Sequence, residues 1–97
     1  MPDTSKLTDR QVALLRSISR NRVVRAVLAA RTAYFLCERS RSGGPRLEEA
    51  DVRALEAAGM LRSARTVREG RRTVRELVCS AAGYAVALTI GRAESLA

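Results

Sequence analysis

Histidine is absent from this sequence, and cysteine occurs only twice, at Cys37 and Cys79. The two cysteines are too far apart for a zinc site, and without histidine the chain lacks a common metal ligand and the usual base of a catalytic triad. A Gly-x-Ser-x-Gly elbow and a phosphate-binding loop are also missing. We therefore expect no catalytic residues, no metal and no cofactor. Both thiols are expected to be buried and reduced, with a single disulfide as the alternative.

Long apolar runs are absent too. The longest uncharged stretch, from Leu77 to Gly91, is interrupted by polar residues and glycine and is too short to span a bilayer. The N-terminal residues are polar, so we expect no signal peptide and a cytoplasmic protein. Of the 97 residues 46% are hydrophobic, which predicts one folded domain over residues 1–97, with Met1–Lys6 frayed and a C-terminal tail at 92–97.

Arginine is the residue that the sequence has in excess. Eighteen basic residues oppose ten acidic ones, which gives a net charge of +8, and all but Lys6 are arginine. Arginine makes bidentate hydrogen bonds to phosphates and stacks on bases, so this charge is consistent with a nucleic-acid partner. A GC-rich genome also replaces lysine by arginine throughout its proteins. The evidence is therefore the net charge and not the choice of arginine.

The first half of the chain predicts one helix and then an ambiguous segment. Thr8 is placed to cap a helix over Asp9–Ser19, with a glutamine three residues later completing a capping box. Within Val23–Glu38 the β-branched and aromatic residues favour strands, whereas four alanines favour a helix. We favour a hairpin that pairs Arg22–Leu28 with Thr32–Arg39. The alternative is the first half of an ordinary helix-turn-helix.

A loop over Ser40–Pro45 and a second helix starting near Leu47 come next. Three apolar positions of this helix share one face: Val52, Leu55 and Ala58. Gly59 suits the left-handed turn that closes a helix. Four acids make the helix unusual for one that enters a DNA groove: Glu48, Glu49, Asp51 and Glu56. Either it contacts DNA through Arg46, Arg53 and few others, or it stays out of the major groove.

The segment from Ala64 to Cys79 predicts a β-hairpin. Two β-branched runs flank Glu69-Gly70, and glycine supplies the positive φ of a tight turn. Val67 and Val74 are predicted to point toward the core. Four arginines are predicted to point toward solvent: Arg68, Arg71, Arg72 and Arg75.

The last predicted helix, Ala81–Ile90, is capped by Ser80 and has Gly91 past its end. It has no charged residue, and its apolar side chains lie all round the helix. Such a helix is buried on several sides, and in so small a domain a second copy of the chain is the expected cover. The predicted homodimer interface comprises Tyr84, Val86, Leu88 and Ile90.

The runs VRALEAAGML, RTVREGRRTVRELV and CSAAGYAVAL together resemble winged helix-turn-helix regulators of the multiple-antibiotic-resistance-repressor type. Four residues match the end of the recognition helix in that family: Leu55, Gly59, Met60 and Leu61. Ser80, Gly83 and Leu88 approximate the helix start after the wing, with Cys79-Ser80 in place of Leu-Thr. Small actinobacterial winged-helix-like proteins with a strand pair after the first helix look similar. The resemblance implies an α+β winged helix, a three-helix core with a β-hairpin wing, with or without a second hairpin.

The resemblance also implies a function, namely a small transcriptional regulator of bacterial or phage origin that binds double-stranded DNA as a homodimer. The predicted DNA-binding residues are Arg41, Arg46, Arg53, Arg65, Arg68, Arg71, Arg72 and Arg75. The alternative is a winged-helix module that docks on a protein partner through its acidic helix or its apolar C-terminal helix. A solvated, charged hairpin that only prevents strand pairing is a third explanation of the arginines. No membrane association is expected.

Overall fold

The protein has an α+β fold in which helices pack on a five-stranded antiparallel sheet. The computed structural model describes residues 7–38 and 43–96, with side chains through residue 89. In chain order the elements are α1 (Asp9–Ser19), β1 (Arg22–Leu28), β2 (Ala33–Glu38), β3 (Arg46–Leu47), α2 (Glu49–Ala57), β4 (Leu61–Glu69), β5 (Arg72–Cys79) and α3 (Ala81–Leu96). The strand order in the sheet is β3-β2-β1-β5-β4. The frayed segment predicted at residues 1–6 lies outside the described residues, as does Arg41.

The prediction for the first helix is confirmed. Helix α1 has the expected bounds, and Thr8 and Gln11 form the capping box, in which each backbone N–H donates to the other side chain at 3.1 Å. The β1–β2 hairpin is also confirmed, so the alternative of a helix over this segment is wrong. Strand β1 lies in the middle of the sheet, and Val23 to Ala26 are all buried there. The β-branched valines of this strand pack well in such a buried sheet.

Two predicted boundaries are wrong. Arg46 and Leu47 form a short strand that pairs with Phe35 and Tyr34, so α2 begins only at Glu49. Helix α3 continues to Leu96, so Gly91 lies within it and residues 92–96 are not a tail. One glycine costs a helix only about 1 kcal/mol, and the arginine, alanine and glutamate that follow are tolerated in helices. A single glycine therefore did not suffice to end it.

The helices cover one face of the sheet. The main core joins Leu15 and Ile18 of α1 and Val52 and Leu55 of α2 to inward-facing strand residues such as Leu77. The other inward-facing members on the strands are Val24, Ala26, Tyr34, Leu61 and Cys79. A smaller cluster of Val23, Cys37 and Val78, with Phe35 against it, occupies the opposite face. Successive side chains on a strand alternate between these two faces.

This alternation corrects three predictions about the β4–β5 hairpin, which lies where the sequence predicted a wing and which we call the wing. Leu77 and Cys79 face the helices, so Arg75 shares their face, and Val74 lies on the other one with its cross-strand partner Val67. Val74 is buried, but away from the helices, and Arg75 is not a freely solvated side chain. The prediction for the turn is confirmed, since Gly70 has a φ of +61° at the wing tip.

Cys37 and Cys79 are free and buried, as expected. The Cys79 thiol approaches the backbone carbonyl of Leu15 at 3.8 Å, and burial raises its pKa from 9.0 to about 11. A raised pKa of an acid means that the folded state holds the proton more tightly than the unfolded chain does. The stabilisation is complete below pH 9 and is lost as the pH rises through about 11.

We therefore expect Cys79→Ala to change how stability depends on alkaline pH. The free energy of unfolding of the parent should fall by roughly 2–3 kcal/mol more than that of the variant across this range, since each pKa unit is worth about 1.4 kcal/mol. Urea unfolding at several pH values from neutral to 11 measures the difference. Parallel curves for the two proteins would contradict the assignment to Cys79.

Candidate nucleic-acid interface

The wing tip and the β1–β2 turn lie at the same end of the sheet. Leu28, the last residue of β1, pairs with Thr73 near the start of β5, and Val27 pairs with Ala33 at the start of β2. Strand β3 meets the same part of β2. Five exposed arginines belong to this region, which we call the arginine end: Arg31, Arg46, Arg68, Arg71 and Arg72.

The arginine end has an excess of positive charge, although Glu48 and Glu49 line the groove that contains Arg31 and Arg46. Within residues 7–38 and 43–89, none of its five arginines has an acidic partner. Three further exposed arginines without such a partner, Arg20, Arg22 and Arg62, lie toward the opposite end of the sheet. Because each end of the sheet is basic, either could attract a polyanion. An experiment must therefore distinguish DNA binding by the arginine end from a general effect of the net charge.

Three ion pairs anchor the wing to itself and to the rest of the domain. Across the outer face of the sheet, Arg25 Nη2 on β1 donates to both carboxylate oxygens of Glu69, each at 2.6 Å. On the face toward the helices, Arg75 Nη2 donates to Glu56 of α2 at 3.2 and 3.3 Å. Within the wing, Arg65 Nε donates to Glu76. Glu69, the acid nearest the tip, is thus neutralised by a residue outside the wing.

Arg65 and Arg75, two of the predicted DNA-binding residues, thus have acidic partners within the chain. The hydrogen bond and negative charge of Glu76 raise the pKa of Arg65, so this guanidinium remains charged but occupied. The side chain of Arg75 is 36% exposed, and its Nε is buried without a hydrogen-bond partner. Arg75, which is the less exposed of the two, is better explained as a residue that holds the wing in position, whereas the exposed Arg65 can exchange Glu76 for another acceptor as Arg53 can exchange Glu49.

The acids of α2 mostly face their own chain. Asp51 is buried and accepts from Arg10, with Nε to Oδ2 at 2.8 Å, and from Gln11 Nε2 at 3.3 Å. Glu56 accepts from Arg75, and Glu49 pairs with Arg53 at 3.1 Å. Glu48, the N-cap residue that precedes α2, has no basic partner among the residues that the structure describes.

The outward face of α2 is small and nearly neutral. Its exposed residues are Glu49, Ala50, Arg53 and Ala57. Arg53 is 72% exposed, and its partner Glu49 is four residues away on the same helix, a pair worth only a few tenths of a kcal/mol. Arg53 can exchange this pair for another acceptor at little cost. It also lines a groove together with Arg31 and Arg46 of the arginine end.

Helix α3 presents part of its apolar surface outward. Ser80 caps the helix by accepting from the Gly83 N–H at 3.1 Å, as predicted. A Cβ at Gly83 would lie 2.1 Å from the Met60 carbonyl oxygen, so α3 packs closely against the turn that follows α2. Tyr84 and Leu88 are 37% and 65% exposed, whereas Val86 is 8% exposed and packs in the protein's own core. The side chain of Ile90 lies outside the described part.

Sequence reasoning missed Arg31 and Arg25. Arg31 lies in the turn between β1 and β2, and its position beside the wing tip depends on the pairing of β1 with β5, which no local pattern reveals. Arg25 has a relative exposure of 9%, and its partner Glu69 is 44 residues away. The signal that was present for Arg25 is its place within an otherwise apolar strand, VVRAV, which indicates a buried charge.

Comparison with known proteins adds no assignment, since no family model, curated protein or solved structure matches this chain. In the described part of the chain, no helix has the length and apolarity needed to cross a membrane.

Proposed function

We propose that the protein is a winged-helix DNA-binding protein that contacts the phosphate backbone of duplex DNA through its arginine end. The observation that carries the proposal is the meeting of two turns and a short strand that bear five exposed arginines without acidic partners among the residues that the structure describes. Arginine at such positions neutralises phosphates and releases counterions, which is the main source of affinity for DNA.

The order of elements supports the winged-helix part of this proposal. Helix α2 is followed directly by the β4–β5 hairpin and then by α3, which starts where β5 ends. Strand β1 completes the sheet beside β5, as a strand between the first and second helices. In this arrangement α2 takes the place of the recognition helix and β4–β5 that of the wing. The β1–β2 hairpin stands where an ordinary helix-turn-helix has another helix.

The wing tip and the outward face of α2 suit different kinds of contact to DNA. Arg68, Arg71 and Arg72 surround a projecting turn and suit contacts to phosphate or to the minor groove, which position a protein without reading bases. Arg53, on the small outward face of α2, suits a bidentate contact to guanine. Regulation of transcription by a bacterial or phage protein is the setting in which such a domain acts.

The first test compares two exposed arginines at opposite ends of the sheet. Arg31→Ala should weaken binding to a mixed-sequence duplex and lower the slope of log K against log salt by roughly 0.9, the value for one phosphate contact. Arg20→Ala removes the same charge beyond the end of α1 and should change neither quantity. Fluorescence anisotropy over a salt series measures both. Equal effects of the two variants would show that only net charge matters.

Docking on a protein partner remains the second candidate function. Its support from α2 is weaker than the sequence indicated, because Glu49, Asp51 and Glu56 are paired within the chain. Its support from α3 is the exposed apolar face formed by Tyr84 and Leu88. A parent protein that binds duplex DNA without salt dependence, or not at all, would favour this candidate.

A further inference from the structure

One acid stays on the outward face of α2. Asp51 and Glu56 pair with arginines of other elements. Glu49 instead forms its ion pair with Arg53 one helical turn later, with the Oε1 and Nε atoms 3.1 Å apart. More than half of each side chain is exposed, 52% for Glu49 and 72% for Arg53. The other exposed residues of the helix are alanines, so any contact that this face makes to a base depends on Glu49 and Arg53.

The Glu49–Arg53 pair places hydrogen-bond donors beside an acceptor. The carboxylate lies against Nε, and among the described residues no other acid pairs with Arg53, so the N–H groups of Nη1 and Nη2 remain available. The second carboxylate oxygen of Glu49 remains available to accept. The pair thus offers two donors followed by an acceptor. In the major groove a G·C base pair offers the complementary row, which is the N7 and O6 acceptors of guanine followed by the N4 donor of cytosine.

We infer that Glu49 and Arg53 act as one unit that reads a G·C base pair, with Arg53 bidentate to guanine and Glu49 accepting from cytosine N4. This assignment rests on the proposed function, since it requires α2 to lie in the major groove. Each of the other three base pairs presents an acceptor, either thymine O4 or a purine N7, at the place where the carboxylate would meet cytosine N4. The carboxylate repels those acceptors, so Glu49 selects both the base pair and its orientation.

The charge of Glu49 has a second effect, of opposite sign. Glu49 and Arg53 line the same groove as Arg31 and Arg46 of the arginine end, so a duplex held there by its phosphates would lie beside the pair. A carboxylate repels the phosphates of every duplex, whatever its sequence. Glu49 should therefore lower the affinity for DNA in general while it raises the preference for one base pair. An acid that is only solvated would have the first effect without the second, and the exposed Glu48 provides that comparison.

The experiment first uses the parent to select a preferred site from a pool of randomised duplexes, and then measures affinities by fluorescence anisotropy. Reversing one G·C pair of this site to C·G should weaken binding of the parent by roughly 10- to 150-fold. Glu49→Ala should reduce that preference by about tenfold, the value of one hydrogen bond to a charged group. Glu48→Ala, the matched control, should keep the preference. Both variants should bind a mixed-sequence duplex more tightly than the parent, since each loses one negative charge.

Coupling between the two residues distinguishes one unit from two independent contacts. Glu49→Ala/Arg53→Ala should lose no more of the preference than Arg53→Ala alone, and circular dichroism confirms that each variant is folded. Additive losses would overturn the inference, as would a Glu49→Ala variant that keeps the preference or a parent that binds every duplex equally. Those three results leave the proposed function standing. A parent that binds no duplex DNA would overturn the proposed function as well.

Discussion

The Arg71→Ala/Arg72→Ala double variant should lose most of the affinity of the protein for duplex DNA. Arg71 lies in the wing turn and Arg72 is the first residue of β5, both are exposed, and neither has an acidic partner among the described residues. Loss of two phosphate contacts should flatten the slope of log K against log salt by roughly 1.8, which corresponds to about a 60-fold weaker binding at 0.1 M salt. The loss should be similar on specific and random duplexes, since phosphate contacts do not read sequence.

The matched control is Arg20→Ala/Arg22→Ala, which removes the same charge from the opposite end of the sheet. Folding should be unchanged in both double variants, because exposed arginines contribute little to stability. Arg53→Ala should behave differently from either, with a loss of roughly 1–3 kcal/mol that is confined to a preferred site. If the Arg71→Ala/Arg72→Ala variant binds DNA like the parent, with the same salt slope, the wing arginines only solvate the edge of the sheet, and docking on a protein partner becomes the better-supported function.

The second large effect concerns stability. Glu69→Ala leaves the guanidinium of Arg25 in the sheet without its carboxylate, and this side chain is only 11% exposed. Removing one partner of a fully buried ion pair costs about 3–5 kcal/mol, and because Glu69 is 54% exposed we expect a smaller loss of about 2 kcal/mol. Urea unfolding of parent and variant measures the change in the free energy of unfolding.

Two further variants show whether this loss comes from the unpaired charge. Glu48→Ala removes an exposed acid that has no basic partner in the described part, and it should change stability by less than about 0.5 kcal/mol. Arg25→Met/Glu69→Met removes both charges and should recover most of what Glu69→Ala loses, because apolar replacements of an ion pair leave nothing uncompensated. A double variant as unstable as Glu69→Ala would show that packing, and not the orphaned guanidinium, sets the cost.

Local patterns in the sequence predicted most of the elements. The capping residues Thr8 and Ser80, the glycine in the wing turn and the β-branched residues of β1 each act over a few residues, so their effects are visible without the fold. The prediction that α3 ends at Gly91 was wrong because it, too, considered only one local residue. Glycine only weakens a helix, and the helix continues when the residues that follow are compatible with it.

The ion pairs between residues distant in sequence could not be predicted from local patterns. Arg65, Arg68, Arg71, Arg72 and Arg75 look alike in the sequence. In the structure they fall into two groups, because Arg65 forms an ion pair with Glu76 and Arg75 forms one with Glu56, whereas the other three have no such partner among the described residues. The acidic character of α2 was likewise misleading, because two of its carboxylates, those of Asp51 and Glu56, pair with distant arginines.

The central β1–β5 ladder has a consequence for how the chain acquires its structure in time. Each hairpin, β1–β2 and β4–β5, joins neighbours in sequence and can close early. The ladder between them joins Val24 to Leu77, more than fifty residues apart, so it pays a large loop-closure entropy before its contacts form. Until that step neither hairpin has a complete core beneath it. We therefore expect the step that brings the β1–β2 turn beside the wing tip to come late in folding, and the surface with the five arginines to form only as the domain is completed.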